Sequence, residues 1–384
     1  MTPQRLIYLD NNATTACAPE VVQAMLPFLV DQYGNPSSAH LAGRVAFRAV
    51  EDAREKMAFL LSAGKHEIFF NSGATEGNNW IFQAFVQLPS QNRKRIVVSA
   101  IEHKSVLDTA VRLRRFGFDV QLLPVTADGV VDLSQAADII TRETALVSVQ
   151  YANNETGVVQ PITELVELAH RVGAFFHCDA VQGLGKAQLN LTELPVDSAT
   201  FSGHKIHAPK GVGVLYLCGG ARNWQWEYPL AGGGQEHNIR PGTYNVPGIV
   251  GLGKAAEMLL VDLSSHIAHM ATLRNSLEAQ LKSRLPDCLI HGEQAPRIPN
   301  TSNVTIKGIP ADILMSTLPN ICVSAGSACN GNALTPSHVL TAMGCSIEGN
   351  RQSLRISFCR YNSCDDVNQF VEAVANAYHT LPKM

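Results

Sequence analysis

The chain has 384 residues, 46% hydrophobic and 16% charged, enough apolar material for large cores and a length that suits two interlocked units. A formal charge of -3, with no basic stripe beyond Arg93-Lys94-Arg95, argues against a nucleic-acid partner. No apolar run has membrane-spanning length and no basic-then-apolar leader opens the chain, so a cytoplasmic protein with no membrane partner is expected. Nine cysteines, an odd number with no C-x-x-C pair, argue against a disulfide framework or a zinc knuckle.

In chain order, the first chemical signal is the apolar run 67–70 and the segment Asn71-Ser72-Gly73-Ala74-Thr75-Glu76-Gly77-Asn78-Asn79, which leads into a helical pattern starting near Asn78. Backbone amides at a helix start, with the Thr75 hydroxyl beside them, suit a phosphate. Taken alone, the segment reads equally well as an ordinary N-cap. Further apolar runs at 95–100, 120–124, 145–150, 174–178, 198–202 and 212–217 alternate with helical patterns. They predict an α/β fold with a mainly parallel sheet sandwiched by helices.

Ligands of such sheets sit at the carboxyl ends of the strands. Those ends carry Glu102-His103-Lys104, Asn153-Asn154-Glu155, Asp179 with Gln182, and Ser202-Gly203-His204-Lys205. Asp179 follows an apolar strand and must be paired there. A pyridinium nitrogen is its natural partner, because a protonated ring nitrogen keeps pyridoxal 5′-phosphate an electron sink. Gln182 is placed to reach the ring's phenolic oxygen, and Asn154 the same edge. His103, just before a helix start at Ser105, suits stacking on the ring and acid or base work. Lys205, with Ser202 and His204 as phosphate-type donors beside it, is the candidate amine for a Schiff base with the cofactor and for later use as a base.

A glycine-rich polar loop at 232–242 precedes a long helical stretch at about 248–285, strand candidates at 302–306 and 354–358, and a last helical pattern at 366–378. The expected division is a large cofactor-binding domain over 16–260 and a small domain over 1–15 and 261–384. The small-residue segment Ser324-Ala325-Gly326-Ser327-Ala328-Cys329-Asn330-Gly331-Asn332-Ala333 reads as a loop within about 323–335. A lone loop cysteine has no role in most proteins; for Cys329 to react, a thiol of ordinary pKa near 8.5, only about 3% ionised at pH 7, needs a local shift or a proton acceptor, for which His103 is the candidate.

Taken together, these segments resemble the fold-type I, class V aminotransferase superfamily and, within it, the group I cysteine desulfurases of the NifS/IscS type. The likeness runs from Tyr8-Leu9-Asp10-Asn11-Asn12-Ala13-Thr14-Thr15 through SGATEGN, EHKSV, NNETG, DAVQ, SGHK, GGGQEHNIRPGT and SAGSAC to Ser353-Leu354-Arg355-Ile356-Ser357. It implies that Lys205 carries the cofactor, that Ala74, Thr75, Ser202 and His204 hold its phosphate, and that His103, Asn154, Asp179 and Gln182 contact its ring. It implies that Arg355 binds the carboxylate of an L-cysteine substrate and that Cys329 takes the sulfur as a persulfide. Thr243 would complete the phosphate site of the other subunit of a homodimer, and a sulfur-acceptor protein would be the partner downstream.

The cofactor residues alone suit an aminotransferase, an epimerase or a selenocysteine lyase equally, and Cys329 is what separates the desulfurase from them. His237-Asn238-Ile239 stand where a basic or glycine-rich segment is common in the family. Few residues follow the last helical pattern, which leads to the expectation of an acceptor dedicated to this enzyme's own pathway.

Overall fold

Runs of β-branched and aromatic residues set the centre of the molecule. A computed structural model describes residues 5–87, 93–224, 230–325 and 336–382. In chain order it contains β1 (Ile7–Tyr8), α1 (Pro19–Val30), α2 (Leu41–Leu61), β2 (Ile68–Asn71), α3 (Ala74–Gln87), β3 (Arg95–Ser99), α4 (Lys104–Leu113), β4 (Asp119–Leu123), α5 (Leu133–Ile139) and β5 (Thr144–Ser148). There follow α6 (Ile162–Arg171), β6 (Phe175–Asp179), β7 (Ser198–Ser202), β8 (Gly213–Leu217), α7 (Val246–Arg284), β9 (Cys288–Ile290) and β10 (Thr301–Ile306). The chain closes with α8 (Ala311–Ser316), β11 (Ile321–Cys322), α9 (His338–Ala342), α10 (Ile347–Arg351), β12 (Ser353–Ser357) and α11 (Cys364–Thr380).

Seven strands form the main sheet in the order β2-β8-β7-β6-β5-β3-β4. Strands β4, β3, β5, β6 and β7 run parallel, while β8 is antiparallel to both its neighbours. The strands β2, β5, β7 and β8 are buried along their whole length, as expected of a sheet covered on both faces. From β3 the chain turns outward to β4, and β5 returns on the other side of β3. This switch in direction opens a crevice at the carboxyl ends of β3 and β5, where Glu102-His103 and Asn153-Asn154 emerge.

The main sheet has an apolar cluster on each face. One gathers Val97, Val147, Phe176 and Phe201 against α2 residues such as Val50, Met57 and Leu61. The other gathers Phe69, Trp80, Phe82, Ile96 and Leu146. A separate cluster surrounds the three-stranded sheet β12-β10-β9 and includes Ile7, Leu9, Leu314, Phe358 and Phe370.

Helix α7 joins these clusters. Its 39 residues span about 58 Å at 1.5 Å per residue. Ile249, Leu252, Ala256 and Leu259 pack into the first cluster, and Met270, Leu273, Leu277 and Leu281 into the third, both at helical spacing. The N-terminal segment also belongs to the smaller unit: β1 pairs with β11, and Asp10 bridges to Ser357.

The sequence pattern places the start of α3 near Asn78, and the structure begins it at Ala74. Local polar groups pull the helix back toward the strand: the Gly73 amide donates to Asn71 Oδ1 at 3.0 Å and the Ser72 amide to Glu76 Oε2 at 2.9 Å. The first turn thereby lies at the very end of β2, with its amides beside the crevice.

The glycine-rich loop is fixed by a buried ion pair. Glu236, in left-handed backbone with φ 50°, accepts Arg54 Nη2 at 2.7 Å, Arg54 Nη1 at 2.8 Å and the Phe70 amide at 2.7 Å. Burial works against the Arg54 charge, but the hydrogen bonds and charge of Glu236 outweigh it and raise its pKa. Replacing Arg54 with Met would strand a buried carboxylate, so unfolding in urea should show a loss of about 3–5 kcal/mol. Adding Glu236→Gln to that variant should recover part of the loss.

Candidate active site

The carboxyl ends of β3, β5, β6 and β7 open into a cavity of about 620 Å³ lined by Ala74, Thr75, His103, Asn154, Asp179, Gln182, Ser202, His204, Lys205 and Arg355. Ten of the sequence-predicted residues thus meet in one place. Thr243 is exposed and lies outside that lining. Cys329 lies outside the described residues. The described neighbours of its segment do reach the cavity: Ser324 exchanges backbone hydrogen bonds with Arg355 (2.7 and 3.2 Å), and His338 stands in the wall.

Asp179 ends β6 with its carboxylate aimed by two donors, Asn78 Nδ2 at 2.8 Å and the Val181 amide at 3.2 Å. Asn78 is fully buried, and all four of its hydrogen-bond positions are used. It also donates to Ser105 Oγ at 2.9 Å, and its Oδ1 accepts from His177 Nε2 at 2.9 Å and Thr200 Oγ1 at 2.6 Å. Burial pushes His177 down to about 3, so it stays neutral and serves as a fixed donor.

Ser105 continues the network to His103, whose Nδ1 accepts the Ser105 amide at 3.1 Å and lies 2.8 Å from Ser105 Oγ. His103 is the N-cap of α4. Because the Ser105 hydroxyl accepts from Asn78, its own proton goes to Nδ1. The ring proton of neutral His103 therefore sits on Nε2.

Lys205 follows β7 in a single tight turn, and its Nζ donates to the carbonyls of Asn12 and Ala13, the latter at 2.8 Å. Burial, then the charges of Lys205 and Lys210, hold His204 down at about 4. It is neutral at pH 7 and pairs with Thr14 Oγ1 at 3.1 Å.

Arg355, on β12, donates from Nη2 to Asp10 Oδ1 at 2.7 Å and Ser324 Oγ at 3.3 Å, and from Nη1 to the Asn154 carbonyl at 3.2 Å. Its Nε is buried with no acceptor among the described residues.

These features fit pyridoxal phosphate. At one end of the cavity the first-turn amides of Ala74 and Thr75 have no acceptor within their own helix, and Ser202 and His204 stand beside them. Gly73, at φ 143°, and Gly213 keep this end open: a Cβ on Gly213 would come within 2.6 Å of Gly73 Cα. Amine, carboxylate and side-chain amide, the groups that an aldehyde, a ring nitrogen and a phenolic oxygen call for, line this one cavity. Three residues without an assignment from the sequence also shape the site, namely Asn12, Asn78 and Lys186. Asn12 and Asn78 lie inside the quoted motifs, and Lys186 stands four residues after Gln182.

Glu102 lies beneath this floor, fully buried. Ser99 Oγ donates to its Oε1 at 2.5 Å and the Gln150 amide at 2.7 Å, while Oε2 has no partner. Burial pushes its carboxyl up to about 8, with the Asp179 charge in the same direction and those hydrogen bonds opposing. The folded state therefore keeps a proton that the unfolded chain releases from a carboxyl near 4.5. That stabilisation is full below pH 4.5 and is lost as pH rises through 8, at a slope on the order of 1 kcal/mol per unit. Glu102→Gln should match wild type in acid and exceed it near pH 8 in urea unfolding; parallel pH profiles would show that Glu102 is ionised in the fold.

Comparison with known proteins agrees with the geometry. The model of the class-V aminotransferase family matches residues 7–370. A cysteine desulfurase of Trichormus azollae is 44% identical over 378 residues, 98% of this chain and 94% of its own. Among solved structures, a NifS-like protein superimposes with a TM-score of 0.90 at 37% identity, covering 98% of this chain and 100% of that one. SspA in complex with cysteine superimposes with a TM-score of 0.80 at 33% identity, covering 93% of this chain and 99% of that one. With family, full-length likeness and cavity in agreement, the chain belongs to the class-V aminotransferases and is a pyridoxal-phosphate-dependent cysteine desulfurase of the NifS/IscS type, built on fold-type I.

Proposed function

We propose that the cavity binds L-cysteine, that the sulfur passes to Cys329 as a persulfide, and that L-alanine leaves. The observation that carries this reading is the meeting of Lys205, Asp179 and Arg355 around one cavity, with His338 in its wall and Ser324 bonded to Arg355 on either side of the Cys329 segment. Cys329 is four steps along the chain from Ala325, a reach of up to about 13 Å, so a thiol there can come to a substrate held by Arg355.

Pyridoxal phosphate, when bound, supplies an aldehyde that condenses with amines and a ring that draws in the electron pair left at Cα. Arg355, in the cavity lining, receives the substrate carboxylate. Lys205 Nζ takes the Cα proton. Asp179 holds the proton on the ring nitrogen, its carboxylate fixed by Asn78 and Val181. Gln182 and Asn154 meet the phenolic edge. Ala74, Thr75, Ser202 and His204 hold the phosphate, and Thr243 reaches that of the partner subunit.

His103 covers the ring face and presents Nε2–H as a donor. Its Nδ1 is occupied as a helix cap, so the acid role is favoured over that of acceptor for the Cys329 proton. In the transfer step the Cys329 thiolate attacks the substrate Sγ. A sulfur–sulfur bond forms, the Cβ–Sγ bond breaks with its electron pair left on carbon, and a proton completes alanine. The persulfide sulfur then passes to an acceptor protein.

A homodimer is supported by exposed apolar side chains along α1 and the start of α2, including Leu26, Leu29, Val30, Tyr33, Leu41 and Phe47. A cytoplasmic location is supported by free thiols at all eight described cysteines. Among the described residues, no helix is long and apolar enough to cross a membrane.

Two experiments test the chemistry. Lys205→Ala should lose the visible band of the bound cofactor and all turnover, whereas Cys329→Ser should keep that band and its response to cysteine but form only traces of alanine. Sustained alanine formation by the serine variant would move the sulfur to another cysteine. Arg355→Lys should raise KM for cysteine about tenfold or more with a smaller change in kcat, since a charge-assisted hydrogen bond is worth about 1.5–3 kcal/mol. An unchanged KM would put the carboxylate anchor elsewhere.

A further inference from the structure

Lys186 is a buried lysine to which the chemistry above gives no task. It is 5% exposed, and its Nζ donates to Asn12 Oδ1 at 3.2 Å and to Gln182 Oε1. Both acceptors are neutral amide oxygens, so the lysine carries its desolvation without a carboxylate partner. Burial, then the nearby Lys205 and Arg355 charges, push its pKa well below the ordinary lysine range, with Cys359 acting in the opposite direction. An amine kept at that cost beside the catalytic lysine needs a reason.

The reason lies in the side chain it grips. Gln182 and Lys186 stand four residues apart on a helical turn after β6, closed by Leu184 and Ala187 amides donating to Ala180 and Gly183 carbonyls, and so share a face. Either end of a glutamine amide can face a ligand, and neighbours decide which. The lysine Nζ donates here, and the group it meets on Gln182 is the oxygen. With Oε1 held there, Nε2 must turn the other way, where one hydrogen meets the Asn12 carbonyl at 3.3 Å. The second remains for the cavity that Gln182 lines.

Asn12 closes the arrangement. Its Nδ2 donates to Thr301 Oγ1 at 2.8 Å and the Asn154 carbonyl at 3.1 Å, so its Oδ1 is turned to Lys186 and to Asn300 Nδ2 at 3.0 Å. Its backbone carbonyl accepts Lys205 Nζ. The lysine is thus held in place by the smaller unit and transmits that order to Gln182.

We propose that Lys186 is a positioning residue for the cofactor: it locks the Gln182 amide so that an N–H, and not the carbonyl oxygen, faces the phenolic oxygen of the ring. This rests on the reading of Gln182 as a ring contact. Without Lys186 the amide is free to turn its oxygen toward an anionic oxygen. A donor at the phenolic oxygen stabilises negative charge there and eases loss of the neighbouring imine proton; its removal raises the pH at which the visible band changes.

The test is a pH titration of the visible band of the holoenzyme for Lys186→Met, Gln182→Leu and the double variant. Each single variant should move the transition upward by about one unit, the worth of a hydrogen bond to a charged group. The double variant should show no further shift. A Gln182→Leu transition at the wild-type position would overturn the ring-contact reading and this proposal with it. A moved Gln182→Leu transition beside an unmoved Lys186→Met one would overturn the Lys186 proposal alone, as would shifts that add in the double variant. A purely structural lysine would lower the melting temperature of the cofactor-free protein and leave the spectral transition in place. Lys186→Gln, one bond too short to hold Gln182 in the same way, should behave as the Met variant and serves if the latter does not fold.

Discussion

The buried amide of Asn78 is the interaction on which the floor of the site depends. It takes fixed donors from His177 and Thr200 on one side and gives its own hydrogens to Asp179 and Ser105 on the other. Asp179 accepts only, so the orientation of the amide has one solution. Strands β6 and β7 and helices α3 and α4 are thereby tied to a single node, and the carboxylate and the His103 ring are held by the same four atoms. Loss of any member would leave buried polar groups unpaired, each at a cost of about 1–3 kcal/mol. The polar residues of β7, Ser198 and Thr200, are explained by this: they face His177 and Asn78 from within an otherwise apolar sheet.

The second constraint is that the site is shared between two units with separate cores. The large unit supplies Lys205, Asp179 and the first turn of α3, while the smaller one supplies Arg355 and anchors Asn12. Helix α7 links the cores through two apolar stripes on one rod. The N-terminal segment crosses between them: Asp10 pairs with Arg355, and the carbonyls of Asn12 and Ala13 hold Lys205. Arg355 and Lys205, the proposed substrate anchor and catalytic amine, are therefore positioned by one short stretch of chain, residues 10–13.

The sheet is legible in the sequence because its strands are apolar runs bounded by polar ends, and the site because those ends carry residues that cannot be buried without a partner. Asp179 is the clearest case: its position after a buried strand calls for a cationic partner on grounds of charge and burial alone. The start of α3 differs from the sequence pattern by four residues because Asn71 and Glu76 side chains, whose bonds are not periodic in sequence, recruit the turn at 73–77. Lys186 and Asn12 escape a sequence reading for a related reason. Asn12 makes its contacts across about 170 to 290 residues of sequence, with Lys186, Gln182, Asn300 and Thr301, and the four-residue step from Gln182 to Lys186 gains meaning only once Asn12 is seen to close it. The thiol of Cys329 is placed by motif alone, since its segment is small and polar and carries no packing signal.

Charge is the remaining organising principle. Groups that would disturb the cavity are kept neutral by burial: His177 near 3, His204 near 4 and Glu102 near 8 all remain uncharged at pH 7. What stays charged is matched to what must enter. Lys205, Lys210 and Arg355 in the lining favour a phosphate at one end and a carboxylate at the other, and Asp179 favours a proton on the ring between them. Lys104, Glu76 and Glu155 complete the charged lining. The lysine behind Gln182 stands near two of these cations, Lys205 and Arg355, whose charges add to burial in lowering its pKa.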